Sequence, residues 1–184
     1  MRRPVRDRQS VVVQIEVVRA DITSVEVDVV VTAANSPLIG GGGVDGAVHR
    51  VAGPDLLQAL RPLAPCPVGG AVITPAFRFP PPVRHVVHAV GPRYGVDEPA
   101  ADLLAGAYRA SLALADQVGA ESIAFPALST GAFQYPRMQA CDVSVRALRS
   151  ATTTVRRCLL VALDLKTARF WERTLRLPIG SQEP

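Results

Sequence analysis

The sequence predicts an α/β domain: a three-layer α/β/α sandwich around a central mixed, mostly parallel sheet. Three observations predict it. Short β-branched runs alternate with stretches of helical spacing along the chain, the pattern of parallel strands joined by helices. Val29-Val30-Val31 is an unbroken apolar run suited to burial on both faces of a sheet. The chain has 184 residues, 48% hydrophobic and 20% charged, enough for one domain with its own core.

The elements follow in order. Residues 1–10 read as a flexible basic arm, 11–178 as the folded domain and 179–184 as a C-terminal tail. β-Branched residues with partial alternation predict a strand over 11–18. Asp21-Ile22-Thr23-Ser24 is a turn, and a second strand spans 25–32. Residues 33–43 form a loop that ends in Gly40–Gly43. A short helix over 44–52 has Val44, Ala47, Val48 and Val51 on one face, and another over 55–63 has Pro54 near its start. Strands at 71–74 and 83–90 are separated by the stiff segment Phe79-Pro80-Pro81-Pro82. Leu103, Leu104, Ala107, Tyr108, Ser111, Leu112 and Ala115 recur at helical spacing and predict a long helix over 98–118. A strand over 122–128 leads into a loop at 129–135, and Pro136 suits the first turn of a helix reaching about residue 150. A strand over 157–163 and a helix over 167–175 complete the domain.

The formal charge is +4, and 19 of the 20 cations are Arg. On its face that points to nucleic acid. Its distribution points elsewhere: residues 1–8 carry +3, 9–136 carry −4, 137–176 carry +6 and Glu183 carries −1. Cys66, Cys141 and Cys158 are odd in number and form no CxxC pair; reduced thiols and a cytoplasmic location are expected. No apolar run approaches the ~20 residues of a membrane span. Gln14, Glu16 and Arg19 interrupt the N-terminal valines, so no signal peptide is expected.

In α/β sheets ligands bind in loops beyond the carboxyl ends of strands. Two loops there carry unusual residues, 32–46 and 128–136. The first contains the glycine run, preceded by Asn35, the only Asn in the chain, and followed by Asp45. Glycines let backbone amides approach a ligand, often a phosphate, with a helix N-terminus behind them. Each feature also has a plain reading. The glycines suit a floppy loop, Asn35 a turn, and Asp45 a helix-terminal charge worth ~0.5 kcal/mol. Gly41, Gly43 and Gly46 fit G-x-G-x-x-G, but the strand ends well before them and no acidic residue follows at the dinucleotide spacing. A P-loop fails because Lys166 is the only Lys.

Four blocks, Ala20–Thr23, Val31–Gly53 (VTAANSPLIGGGGVDGAVHRVAG), Cys66–Gly91 (CPVGGAVITPAFRFPPPVRHVVHAVG) and Phe125–Pro136 (FPALSTGAFQYP), resemble the macro domain, the ADP-ribose-binding α/β fold. The resemblance is strongest to the branch that hydrolyses mono-ADP-ribose and O-acetyl-ADP-ribose, and it spans roughly residues 11–177. It implies roles residue by residue. Asp21 accepts from the adenine amine, with the Ile22 backbone beside it. Gly41, Gly42, Gly43 and Val44 wrap the distal ribose and a phosphate with backbone amides. Ser129, Thr130, Gly131, Ala132 and Phe133 supply the second diphosphate loop. Asn35 binds a distal-ribose hydroxyl, and Asp45 holds or activates the attacking water. A phosphate beside Asp45 would raise its pKa by like charge, toward a general base. Attack at the anomeric carbon and attack at an acyl carbonyl both remain open.

The chain departs from the family at three places. Thr32 stands where Asn is usual. Phe133 and Gln134 replace Tyr and Gly of the second loop. Leu163 stands where an aromatic often stacks on the adenosine, followed by Asp164-Leu165-Lys166-Thr167.

Other candidates read more plainly. His49, one turn after Asp45, reads first as a packed or supporting residue. His85 and His88 sit three apart on a strand and face opposite sides. With three His and no Cys pair, zinc is not expected. Ser129 lacks the G-x-S-x-G elbow of a nucleophile. Cys66 reads as a packed thiol, Phe170 and Trp171 as packing residues, and Arg146, Arg149, Arg156 and Arg157 as a solvated face. The expected function is ADP-ribose binding with hydrolysis of ester-linked mono-ADP-ribose on acidic side chains, deacetylation of O-acetyl-ADP-ribose, or both. A non-catalytic ADP-ribose reader and a nucleic-acid module are the competing classes. No cofactor and no metal are expected. The partners expected are ADP-ribose or ADP-ribosylated proteins, not nucleic acid or a membrane, and the chain is expected to be a monomer.

Overall fold

The computed structural model describes residues 13–178. The arm at 1–10 and the tail at 179–184 lie outside them, as do the first two residues of the expected strand at 11–18. Six strands form one sheet: β1 (Gln14–Arg19), β2 (Val29–Ala33), β3 (Ala71–Pro75), β4 (His85–Ala89), β5 (Ser122–Phe125) and β6 (Arg157–Ala162). Their order across the sheet is β1-β6-β5-β2-β4-β3. Every pair is parallel except β3 with β4, which run antiparallel across the Pro80–Pro82 connection. Five helices cover the sheet: α1 (Gly43–Ala52), α2 (Asp55–Leu60), α3 (Ala100–Gln117), α4 (Arg137–Arg149) and α5 (Leu165–Arg176).

Alternation along the strands builds the three layers. Val29, Val31, Val87, Ile123, Phe125 and Leu160 face α3, α4 and α5 in one core. Val30, Val86, Ala124, Leu159 and Val161 face α1 and α2 in the other. The chain therefore leaves β2 toward one face and β5 toward the opposite face. Those neighbouring strands diverge at their carboxyl ends, the position where α/β sheets open a crevice. Trp171 is fully buried and its indole N–H donates to Ser144 Oγ at 2.9 Å, which fixes α5 against α4.

Two strand ends move furthest from expectation among the described residues. β2 begins at Val29 rather than residue 25, because Asp28 is diverted into a clamp. Its Oδ2 accepts from the Glu121 and Ser122 amides and from Ser122 Oγ, and its Oδ1 from Arg84. β5 stops at Phe125 rather than residue 128. Pro126 has no amide to offer the ladder, and the buried Tyr108 takes over: its hydroxyl donates to Pro126 O at 3.2 Å and accepts from Leu128 N at 3.4 Å. That bridge seats the loop that follows. α3 starts two residues later than expected, after Pro99, and α5 two residues earlier, capped by Asp164 Oδ1 on Thr167 N. The C-terminal arginines are held within the fold. Arg149 donates to Leu175 O and Leu177 O, Arg157 pairs with Glu16, and Arg146 donates to Asp142 O. No helix among the described residues is long and apolar enough to cross a membrane.

Candidate active site

A cleft of about 740 Å³ opens at the carboxyl ends of the parallel strands. All thirteen residues singled out from the sequence line it: Asn35 and Asp45; Asp21 and Ile22; Gly41, Gly42, Gly43 and Val44; and Ser129, Thr130, Gly131, Ala132 and Phe133. Segments almost a hundred residues apart thus meet in one space.

The glycine wall is built from the start of α1. Its N-cap, Gly42, offers no side-chain cap. The first helical bond runs from Gly46 N to Gly42 O at 3.2 Å, so the amides of Gly43, Val44 and Asp45 precede the helical ladder. Their partial positive charge, with the helix dipole behind, suits an anion. The close approach has a structural condition at Gly46. A Cβ there would lie 2.8 Å from Gly41 O, so only glycine lets the loop fold onto the helix.

Asp45 is 3% exposed. Its Oδ1 accepts from Thr32 Oγ1 at 2.9 Å, and its Oδ2 lies 3.8 Å from His49 Nε2. Burial raises its pKa above the ordinary carboxylate value; the Thr32 hydrogen bond and His49 pull the other way. Burial alone therefore moves Asp45 toward a useful base before any phosphate is present, a cause the sequence did not reveal. Thr32, at the position where the family resemblance places Asn, thus supports the carboxylate. Asn35 stands close by. Its Nδ2 donates to Gly40 O at 2.8 Å, and its Oδ1 accepts from Ile39 N at 3.2 Å. The amide holds the loop and still faces the cleft. Asn35 Nδ2 and Asp45 Oδ2 lie 3.9 and 3.6 Å from the place a Cβ on Gly41 would take, so both converge on the Gly41 backbone.

The second loop is held by its own backbone. Tyr135 N donates to Ser129 O at 2.9 Å, Thr130 Oγ1 to Ala127 O at 2.8 Å, and Tyr94 N to Phe133 O at 2.9 Å. Ser129 and Gln134 both adopt positive φ, 65° and 56°. Gln134 thus takes a left-handed backbone at the position where the family resemblance places Gly. At the other end of the cleft, Asp21 caps a short turn (Ile22–Ser24), with Oδ1 accepting from Thr23 N and Thr23 Oγ1. Those bonds hold its pKa below the usual value. Leu163 is 83% exposed on the cleft rim.

Three contributors were not singled out. Arg50 and Arg137 line the cleft, so cations reach it although neither loop contains one. Arg50 was readable: Gly43, Ala47 and Arg50 follow helical spacing and share a face. Arg137 opens α4 and pairs with Asp164 at 3.3 Å. The third is His88. It does not pair with His85; instead it meets His49 across the layers, ring centroids 6.2 Å apart. Asp45, His49 and His88 are the group among the described residues that could hold a metal ion.

His88 is fully buried, and burial, then the charge of His49, pushes its pKa down to about 3. The unfolded chain binds that proton more readily. Its contribution to stability is therefore complete above about pH 6.5 and is lost as pH falls toward 3, at up to about 1.4 kcal/mol per pH unit. Urea unfolding at pH 4–7 checks this: His88→Asn should flatten the slope relative to wild type, and parallel slopes would contradict it.

The Macro domain family model matches residues 31–144. An O-acetyl-ADP-ribose deacetylase of Klebsiella pneumoniae (strain 342) is 47% identical over 171 residues, covering 89% of this chain and 97% of that protein. One of Salmonella typhimurium is 44% identical, covering 88% and 94%. Among solved structures, the Oceanobacillus iheyensis macrodomain with ADP superimposes with a TM-score of 0.81 at 32% identity, covering 90% of this chain and 91% of that one. The Trypanosoma brucei macrodomain in complex with ADP-ribose gives 0.79 at 34% identity, covering 88% and 68%.

Proposed function

The chain belongs to the macro domain family, and from that premise we propose that it binds ADP-ribose and hydrolyses O-acetyl-ADP-ribose and ester-linked mono-ADP-ribose on acidic side chains. The observation that carries the reading is Asp45: a buried carboxylate with a raised pKa, one oxygen held by Thr32 and the other beside the glycine wall. The diphosphate lies against the amides of 41–45 and 129–133, which supply fixed partial charges without counterions. Asn35 orients ribose hydroxyls without adding negative charge near Asp45. Asp45 takes a proton from a water as that water attacks the acyl carbonyl. The tetrahedral intermediate expels the ribose oxygen, which takes the proton back from the Asp45 carboxyl, and the products are ADP-ribose and acetate or a protein Asp or Glu.

That route sets the linkage. An ester offers the water an acyl carbon, whereas a Ser O-glycoside or an Arg N-glycoside has none and would have to be cut at the anomeric carbon with protonation of the departing group. A panel of O-acetyl-ADP-ribose and proteins carrying ester-, Ser- and Arg-linked ADP-ribose tests it. Release from the two ester substrates alone is expected; release from Ser or Arg linkages at comparable rates would overturn it. The three cysteines are buried and free, which supports a reducing compartment, the cytoplasm.

Thr32 gives a second test. Its hydrogen bond favours ionised Asp45, so Thr32→Val raises the Asp45 pKa further. The acidic limb of kcat/KM against pH then moves upward by about 0.5–1 unit. A limb that does not move would remove Asp45 from the role of base.

A further inference from the structure

Beneath the cleft a polar stripe crosses a layer that is otherwise apolar. Thr32 on β2 and His88 on β4 are direct register partners, and Thr74 Oγ1 on β3 lies 3.1 Å from His88 Nε2. All three are at most 3% exposed. α1 covers the stripe with Asp45 and His49. Buried polar atoms cost stability unless they are satisfied, and two here have no hydrogen-bond partner, His49 Nε2 and His88 Nδ1.

A ring nitrogen of each histidine and a carboxylate oxygen of Asp45 lie within 4.8 Å of one another. Thr74 occupies His88 Nε2, which leaves Nδ1 for this junction. Three atoms so placed share a point no more than about 2.8 Å from each, the separation divided by the square root of three. That is hydrogen-bond length, and three polar partners meet the needs of an enclosed water.

We propose that His88 is a positioning residue for Asp45: its Nδ1–H and the His49 Nε2–H hold one enclosed water that donates to Asp45 Oδ2. Thr74 fixes the tautomer. Its hydroxyl donates to His88 Nε2, so the ring proton sits on Nδ1. No proton changes owner; the array supports ionised Asp45 from below while Thr32 supports Oδ1. Of titratable groups, α1 presents Asp45 and His49 to His88, while β2 and β3 present the hydroxyls of Thr32 and Thr74. The catalytic consequence rests on Asp45 being the base; the tautomer does not.

Long-range proton–nitrogen NMR on the unliganded protein reads the tautomer, and with only His49, His85 and His88 to assign the spectrum is simple. His88 should show the Nδ1–H form from pH 5 to 8, and Thr74→Val should lose that preference. The Nε2–H form in wild type would overturn the proposal. Activity supplies the second readout. His88→Asn keeps a donor near the Nδ1 position and should leave the acidic limb of kcat/KM within about 0.3 unit of wild type; His88→Gln reaches only toward Thr74 and should raise it by about 0.5 unit or more. ADP-ribose Kd should stay within about twofold in both, since neither touches ligand. A His88→Gln limb equal to wild type would also overturn the proposal. Where neither His88 variant folds, wild type and Thr74→Val decide. If wild type turns over no ester, the functional reading fails, and the tautomer still judges the array.

Discussion

Asp45→Ala should lower kcat/KM for O-acetyl-ADP-ribose by at least about 10³-fold while ADP-ribose still binds within about threefold of wild type, since removing a general base affects the transition state and not ground-state binding. The separation follows from where Asp45 sits. In the proposed placement the diphosphate is held by amides of the glycine wall and the 129–133 loop, none of which depends on the Asp45 carboxylate for its place. Gly46 N to Gly42 O closes the first turn of α1, and the loop before it is tied by Asn35 to Gly40 and Ile39. The variant should also fold. Asp45 is a buried carboxylate whose charged form burial disfavours, so its removal relieves a cost, although Thr32 loses its acceptor. Turnover and calorimetry on the same preparation check both halves. Equal loss of binding and turnover would make Asp45 a ligand contact rather than the base.

Gly42→Glu should weaken ADP-ribose binding more than about 100-fold, a loss of about 2.7 kcal/mol, with little change in unfolding temperature. Gly42 has extended backbone, φ −94° and ψ −167°, which any residue adopts, and a Cβ there meets no atom within 4 Å. The protein therefore has no packing reason to reject a side chain. The open space is the cleft itself, and a carboxylate there fills the proposed phosphate path and repels an anionic ligand. Gly46→Ala is the contrasting case. Its Cβ would press on Gly41 O at 2.8 Å, so it should lose stability and binding together. Unchanged affinity in Gly42→Glu, with stability intact, would mean that the phosphates do not lie against this wall.

The glycine loop was legible from local signals, while Asp21, Ile22 and the residue roles came from the family resemblance. Four successive glycines, a unique Asn35 and a helix-opening Asp45 mark one loop by composition alone, and the 128–136 loop follows a strand at the position where such sheets bind. Long-range effects were not legible. Asp28 ends up clamped to Ser122, ninety-four residues away, and so truncates β2. Tyr108 replaces the ladder after Phe125 from a different layer. His88 illustrates the limit best. Strand parity separated it from His85, but nothing local told that α1 would lower His49 onto the same face, or that Thr32 and Thr74 would flank it. Net charge misled in the opposite direction. Arg146, Arg149 and Arg157 hold the fold together at the surface, while the two cations that reach the cleft, Arg50 and Arg137, were not conspicuous in the total.

Asp45 is proposed to turn this ADP-ribose site into an esterase. The most direct measurement is acetate release from O-acetyl-ADP-ribose by the wild-type chain, followed beside calorimetric titration of ADP-ribose into the same sample. Binding accompanied by catalytic release that disappears in Asp45→Ala is the predicted result. Binding of ADP-ribose with no release by wild type would contradict the account and leave the chain a reader of ADP-ribose.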